Sequence, residues 1–279
     1  MVIVDLELAA RIERAEAEFM AACSRAAATR YGVPTFRVPI AGGFATYAGD
    51  DSPFNKVAGT GFGGVPTGAT LDDVERRYAE HRSPVGFEIS TLAEPALFEM
   101  LTGRDYLLVG FEDVLVRALS PRPRAAAPPD REIAVTRAED RIAVWMDVAV
   151  ESALTPDDHG VPQLDAFPRQ ALETAEQIGI DAGARAYLAT VGGRPAGAGG
   201  LRISGPLAQL TGAGTLPTYR RRGVQAELVR VRLADARAAG CEHAVVTTQP
   251  GSTSQANMRR AGFELGYSRA VLARRAEAG

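Results

Sequence analysis

The residues with the most evident chemistry are Arg220, Arg221, Arg222 and Gly223, in the stretch "LPTYRRRGVQAELV". An apolar-periodic segment follows at once. Val224, Leu228, Val231 and Leu233 stand at helical spacing, and Gly240 serves as a C′ glycine. Three arginines therefore crowd a helix N-terminus, where a partial positive charge already stands and further cations are disfavoured. An anion between them reverses the balance. Unpaired N–H groups, the helix dipole and nearby guanidinium groups together make a phosphate site, best suited to a pyrophosphate. Gly223 lets the backbone approach without a side chain in the way. A solvated basic patch is the competing reading.

A second strand-to-helix turn in the first half provides a contrast. There "VAGTGF" leads through "GGVPTGAT" into "LDDVERRY". Thr70 reads as the N-cap, with Asp72 and Asp73 in the first turn. Those acids answer the helix dipole from within the protein and would repel a phosphate. One anion site per chain is the expectation.

The elements that position these turns can be read from periodicity. In the second half, "REIAVTR" is a strand, and "AEDRIAVWMDVAVESAL" and "FPRQALETAEQI" are helices. "ARAYLATVGGRPAGAGGLRI" is two strands around the turn Gly192-Gly193, and "AQLTGAGTL" is a third. After the arginine helix come strand "EHAVVTTQ", short helix "SQANMRRAGF" and strand "ELGYSRAVLAR". The order is β, α, α, β, β, β, α, β, α, β, an α/β (α+β) domain with a mixed central sheet flanked by helices. The first half repeats the later part of this order. Helix "ERAEAEFMAACSRAAATR" precedes strands "TFRVPI", "GGFATYAG" and "FNKVAGTGF". Helix "TLDDVERRYAEHR", strand "VGFEIS", helix "PALFEMLTG" and strands "YLLVG" and "EDVLVRAL" follow. The chain thus reads as a diverged duplication. A Pro/Ala-rich linker at 121–130 separates residues 1–120 from 131–279.

Composition bounds the alternatives. The chain has 279 residues, 46 % hydrophobic and 23 % charged, as a core-forming protein of two domains would have. A net charge of −3 and a pI near 5.8 argue against broad binding to nucleic acid or to an anionic membrane. No apolar run reaches the length of a membrane span, and acids occupy the place of a signal's basic region. A cytoplasmic protein is expected. Cys23 and Cys241 read as free thiols, and His81, His159 and His243 lack ligand spacing, so no metal is expected. Lys56 is the only lysine beside thirty arginines, a coding bias rather than a physical signal.

The stretch "TLPTYRRRGVQAELV" resembles the acetyl-CoA signature of the GNAT N-acetyltransferase superfamily: Arg or Gln, two residues, Gly, one residue, then Gly or Ala. Arg220 and Gly223 fit, while Gln225 stands where the second small residue is usual and Ala226 follows. Strand, turn, helix, strand, "RRAGF" and strand follow in the family's order. The first half resembles a degenerate copy, so the resemblance implies two GNAT-like domains in tandem. It also implies that acetyl-CoA is the co-substrate, with its pantetheine on the backbone of Ala213, Gly214 and Thr215. The pyrophosphate would take the amides of Arg221, Arg222, Gly223, Val224, Gln225 and Ala226. Asn257 would touch the cofactor.

The family's usual proton donor to the leaving thiolate is a tyrosine, and that position here is Met258. Ser254, one turn earlier, is the candidate in its place, although Ser252 and Gln255 also read as a capping box at this helix start. An attacking amine must lose a proton. Candidate bases are Asp147 and Glu151, spaced i, i+4, with Glu88 or Glu112 if the first half contributes. The polar loop "TPDDHGVPQLDA", with Asp157, Asp158, His159 and Asp165, is the candidate surface for a cationic small-molecule acceptor. Three readings follow: an N-acyltransferase acting on a primary amine, a non-catalytic acetyl-CoA-binding module, and an acetylating toxin acting on tRNA. The acidic pI and the extra domain weigh against the third. A homodimer is compatible with all of these.

Overall fold

The computed structural model describes residues 3–119, 132–157 and 166–274. In chain order the elements are α1 (Leu6–Tyr31), β1 (Phe36–Ile40), β2 (Gly43–Tyr47), β3 (Lys56–Ala58), α2 (Gly68–Glu80), β4 (Val85–Ser90), α3 (Ala96–Thr102) and β5 (Leu107–Ala118). Then come β6 (Ile133–Arg137), α4 (Ile142–Leu154), α5 (Arg169–Asp181), β7 (Arg185–Val191), β8 (Arg194–Ser204) and β9 (Leu207–Thr215). The last are α6 (Val224–Ala238), β10 (His243–Thr248), α7 (Thr253–Arg260) and β11 (Glu264–Arg274). The linker expected at 121–130 lies outside the described residues.

Two compact units form, and they exchange elements relative to a cut at that linker. Within the described residues, one unit gathers 3–114, 166–182 and 266–274, and the other 115–119, 132–157 and 183–265. The mixed α/β architecture, a central mixed sheet flanked by helices, follows the sequence expectation. Helix α5 and most of β11, however, join the unit built from the first half.

In the first unit the strands run β1-β2-β3-β4-β11 and then the opening part of β5. β11 lies antiparallel to β4, with Arg269 opposite Ser90 and Arg274 opposite Val85. β3 and β4 are parallel, but only Val57 and Ala58 pair. The sequence expected a longer strand over "FNKVAGTGF"; three residues form it, because Gly59 and Gly61 take φ of +71° and +95°. The expected strands "YLLVG" and "EDVLVRAL" are one twelve-residue strand. Leu71, Val74, Tyr78, Phe87, Ile89 and Leu97 centre the core. Asp5 caps α1 by accepting from Leu8 N at 2.8 Å. α5 packs on α1, where Gly179 lies beside Phe19 and Arg30 Nη2 donates to Asp181 Oδ1 at 2.8 Å.

In the second unit the order is the end of β5, then β10-β9-β8-β7-β6. β6 through β9 are antiparallel, and β9 and β10 are parallel. Gly192 and Gly193, at φ +55° and +79°, make the tight β7–β8 turn that needs a positive φ twice. Tyr187, Leu201, Leu210, Val224, Leu228, Leu233 and Phe263 build its core. α6 buries Val224, Leu228, Val229, Arg232, Leu233 and Ala236, so the apolar face includes one arginine.

Candidate functional site

Three features meet at the end of β9. The first is a parting of strands. β9 and β10 pair only at Leu207, Ala208 and Gln209 with His243, Ala244 and Val245. Beyond that register β9 continues to Thr215 and β10 to Thr248. The stretch from Leu210 onward keeps β8 as its neighbour and leaves its other edge open. It also carries a bulge: Ala198 lies opposite Gly214 and Gly200 opposite Thr211, so Gly212 and Ala213 face the single residue Gly199. Gly212 takes φ +32° and is exposed, as is Ala213.

The second feature is the turn itself. A short 3-10 turn over Pro217–Tyr219 leads to Arg220. Arg220 Nε donates to Thr215 O at 3.2 Å and Nη2 donates to Thr155 O, tying the turn to the end of β9 and the C-terminus of α4. Arg221 holds φ +61° and Gly223 φ +84°. A left-handed arginine is strained by about 1–3 kcal/mol, a cost that persists where the surroundings over-determine it, as at ligand clamps. Arg221, Arg222 and Gly223 are exposed. The Arg222 guanidinium lies 5.6 Å from the Tyr219 ring centroid and 3.8 Å from the Glu132 carboxylate. Helix α6 then starts with no side-chain cap, and Glu227 N is the donor that reaches back to Gly223 O, at 3.1 Å. The amides of Val224, Gln225 and Ala226 therefore present an uncapped helix start to any anion above it.

The third feature is a pair of orphan hydroxyls. Thr215 Oγ1, at the end of β9, and Thr248 Oγ1, at the end of β10, are buried without a hydrogen-bond partner. Buried hydroxyls are normally paired, so two orphans on the parted strands ask for a polar occupant. Donors, acceptors, open strand edge and uncapped helix start together suit a thioester carrier with amide and phosphate groups.

The residues expected from the sequence to hold the cofactor lie close together: Ala213, Gly214 and Thr215 on the open strand, Arg221 to Ala226 on the turn and helix start. Gly214 has a second reason to be glycine, since a Cβ there would overlap the Ser152 side chain of α4. Ser152 Oγ in turn donates to Val148 O at 2.6 Å.

The catalytic candidates are more scattered. Helix α7 is capped by Ser252, which accepts from Gln255 N at 3.1 Å. Gln255 Oε1 accepts from Gly251 N at 2.9 Å, so the reciprocal bond falls one residue upstream of a strict capping box. Ser254 is exposed. Asn257 is half-buried, and its Oδ1 accepts from Arg260 Nη1 at 2.6 Å. Met258 is 2 % exposed and is part of the hydrophobic core, so it is a packing residue rather than a damaged proton donor. On α4, Asp147 is exposed and Glu151 half-buried. Asp157 is half-buried, while Asp158, His159 and Asp165 lie outside the described residues.

Glu88 and Glu112 belong to the first unit and are engaged there. Lys56 Nζ donates to Glu88 Oε1. Arg269 Nη1 lies 3.8 Å from Glu88 and 3.7 Å from Glu112. Burial raises the Glu88 carboxyl, but Lys56 and Arg269 overcome it and leave the group below its ordinary range. Burial and then the neighbouring Glu88 push Glu112 up to about 7, against Lys56 and Arg269.

The first-half turn needs a correction. Thr67, not Thr70, caps α2, accepting from Thr70 N at 3.2 Å. Asp72 and Asp73 stand in the second turn, not the first, and are taken by Arg104 and by Arg76 and Arg77. A side-chain cap rather than a pair of acids thus satisfies this helix start.

Two residues beside the parted strands with buried unpaired polar atoms were not singled out in the sequence: Thr248, which nothing local marks, and Arg232. Arg232 lies four residues after Leu228 on the apolar face of α6, and that placement was the available signal.

Among the described residues no helix is long and apolar enough to cross a membrane, and no group of His, Cys, Asp and Glu could hold a metal ion.

Residues 149–263 match the model of the acetyltransferase (GNAT) family. Solved structures give the same fold across the chain. A GCN5-related N-acetyltransferase from Kribbella flavida superposes with a TM-score of 0.64 at 18 % identity, covering 94 % of this chain and 96 % of that one. A tandem GNAT protein from the clavulanic acid biosynthesis pathway gives 0.59 at 12 % identity, over 92 % and 88 %. A GCN5-related N-acetyltransferase from Sphaerobacter thermophilus gives 0.54 at 17 %, over 76 % and 67 %. No curated protein matches the chain.

Proposed function

We infer, from the match of residues 149–263 to the acetyltransferase (GNAT) family model and from the geometry at the end of β9, that this chain is an acyl-CoA-dependent N-acyltransferase. It moves acetyl from acetyl-CoA to a primary amine of a small molecule by direct attack. The observation that carries this reading is the conjunction at β9: an open strand edge leads straight into an uncapped helix start among exposed arginines.

The roles follow from the chemistry of each group. Backbone groups of Ala213, Gly214 and Thr215 hold the pantetheine amides, with the Thr215 and Thr248 hydroxyls as further partners. The amides of Arg221 to Ala226 take the pyrophosphate. Arg220 keeps that turn in place through Thr155 O and Thr215 O. Arg221 and Arg222 neutralise the phosphates. The amine attacks the thioester carbon, the carbon–sulfur bond breaks, the amine sheds a proton and the thiolate takes one up. Glu151, on α4, is the candidate acceptor of the first proton and Ser254, on α7, the donor of the second. Asn257 contacts the cofactor. The acceptor amine would be drawn, by simple charge attraction, to the acidic sequence from Asp157 to Asp165, of which Asp157 is among the described residues. The lack of an established donor at Met258 favours keeping a second reading, a non-catalytic acetyl-CoA-binding module.

Calorimetry with acetyl-CoA tests the site. Gly223→Glu puts a negative side chain into the anion site and strains a left-handed backbone position. It should abolish binding in a folded protein. Unchanged affinity would refute the assignment. Release of free thiol from acetyl-CoA in the presence of an amine panel separates enzyme from binding module.

A further inference from the structure

The bulge in β9 has a charged support beneath it. Arg232 of α6 is 1 % exposed, and no carboxylate is among its hydrogen-bond partners. Its Nε donates to Leu228 O at 3.1 Å, one turn back on the same helix. Its Nη1 donates to Gly200 O at 3.0 Å and to Thr211 O at 3.4 Å, the pair of residues at which the ladder goes out of register. Nη2 is buried without a partner. The guanidinium fills the space of a missing side chain, since a Cβ on Gly199 would come within 3.0 Å of its Cζ. From the helix α4, Trp145 Nε1 donates to Gly199 O at 3.3 Å. The residue opposite the bulge is thus fixed by an indole, and its neighbours by a cation.

A buried cation without an acid is costly. Exchange of buried charges for apolar side chains of similar volume is often neutral or stabilising. Packing alone would be served at least as well by methionine. Burial draws the Arg232 guanidinium down to about 10, but it remains charged at neutral pH.

The position gives the charge a purpose. If the pyrophosphate lies on residues 221–226 and the pantetheine on 213–215, the thioester falls farther back along β9, at Gly212 and Thr211. A guanidinium that donates to Thr211 O polarises the peptide joining Thr211 to Gly212. It also places a positive field under the bulge. We propose that Arg232 is a positioning residue for acyl transfer: it fixes the β9 bulge and stabilises negative charge growing on the thioester oxygen there. The inference rests on the acyltransferase reading above. It adds a residue acting through the backbone, from the buried face of the sheet.

The test uses the whole chain and isotope-labelled acetyl-CoA. The carbonyl stretch of the bound thioester reports the field at its oxygen whether or not an acceptor is known. In the wild-type protein the stretch should move to lower frequency on binding. Arg232→Met should bind acetyl-CoA within about three-fold of wild type yet lose most of that shift. Wherever an amine is turned over, kcat should fall about 10- to 100-fold with little change in KM for acetyl-CoA. Arg232→Lys, which keeps the charge, should recover part of both. If the methionine variant does not fold, Arg232→Gln, which keeps a donor and removes the charge, carries the same comparison. A folded neutral variant with an unchanged stretch overturns the proposal, as does a lysine variant no better than the neutral one. Wild-type protein that binds no acetyl-CoA at all would instead overturn the reading beneath it.

Discussion

Glu13 and Arg269 form a buried ion pair between the first helix and the last strand. Arg269 Nε donates to Glu13 Oε1 at 2.8 Å, and both side chains are 1 % exposed. Tyr267 adds a hydroxyl to the same carboxylate oxygen at 2.6 Å. Glu88 and Glu112 lie within 4 Å of the same guanidinium, at 3.8 Å and 3.7 Å. The chain's only lysine, Lys56, joins the cluster through Glu88. Strand β11 is therefore specified for the first unit by charge as well as by its apolar face.

Breaking one side of this pair should be far worse than removing both. Arg269→Leu leaves Glu13 buried without its cation, and chemical denaturation should show a loss of about 3–5 kcal/mol. The double variant Glu13→Leu with Arg269→Leu should recover part of that loss, because Glu13 is no longer an orphan charge, while Glu88 and Glu112 still lose Arg269. If the double variant is as unstable as the sum of the two single variants, the pair is not coupled as described.

Much of this architecture was legible beforehand, for reasons that single residues make plain. Gly192-Gly193, Gly240 and Gly262 punctuate the second half where the chain needs a positive φ, so its elements could be read in order. The geometry of the candidate site was legible because it is contiguous: strand end, turn and helix start are neighbours in sequence. The exchange of elements was not. "ELGYSRAVLAR" reads as a strand from its alternation, but no local pattern says which unit will take it; its partners there include Glu13, some 250 residues away. The two strands read as "YLLVG" and "EDVLVRAL" run on as one, with Gly110 inside it. Asp72 and Asp73 were placed one turn too early because the Thr67 cap was read at Thr70. Pairings made at a distance are invisible to periodicity.

A pH effect on stability follows from Glu176 of α5. Burial pushes its carboxyl from 4.5 up to about 7. The folded state therefore holds the proton more tightly than the unfolded state. Stability falls as pH rises from about 4.5 through about 7, and is flat above that with respect to this group. Glu176→Gln removes the penalty. The variant should be more stable than wild type by about 1–3 kcal/mol at pH 8 and near parity at pH 4. Thermal melts across this range check it; a difference independent of pH would reject the assignment.

One acetyl-CoA should bind per chain. The α2 start in the first unit has its Thr70 amide already accepted by Thr67, while α6 has no such cap. A titration that resolves two equivalent sites would show that both copies kept the cofactor.

In the acyltransferase reading the leaving thiolate needs a proton. Met258 cannot supply it, and its burial in the core shows that the position has been given over to packing. Ser254 stands one turn earlier on α7 and is exposed. Its hydroxyl is not the helix cap, because Ser252 performs that task through Gln255 N. Ser254→Ala should therefore leave the melting temperature nearly unchanged, since no cap and no core contact is lost. If Ser254 is the proton donor, kcat should drop about 10- to 100-fold while KM for acetyl-CoA stays constant, and the loss should be larger at high pH, where solvent protons are scarcer. Ser252→Ala is the control with the opposite signature: destabilised by about 1 kcal/mol through loss of the cap, with the chemical step affected only as far as α7 frays. Turnover in Ser254→Ala equal to wild type would assign the proton to solvent, and α7 would then serve to pack and to place Asn257.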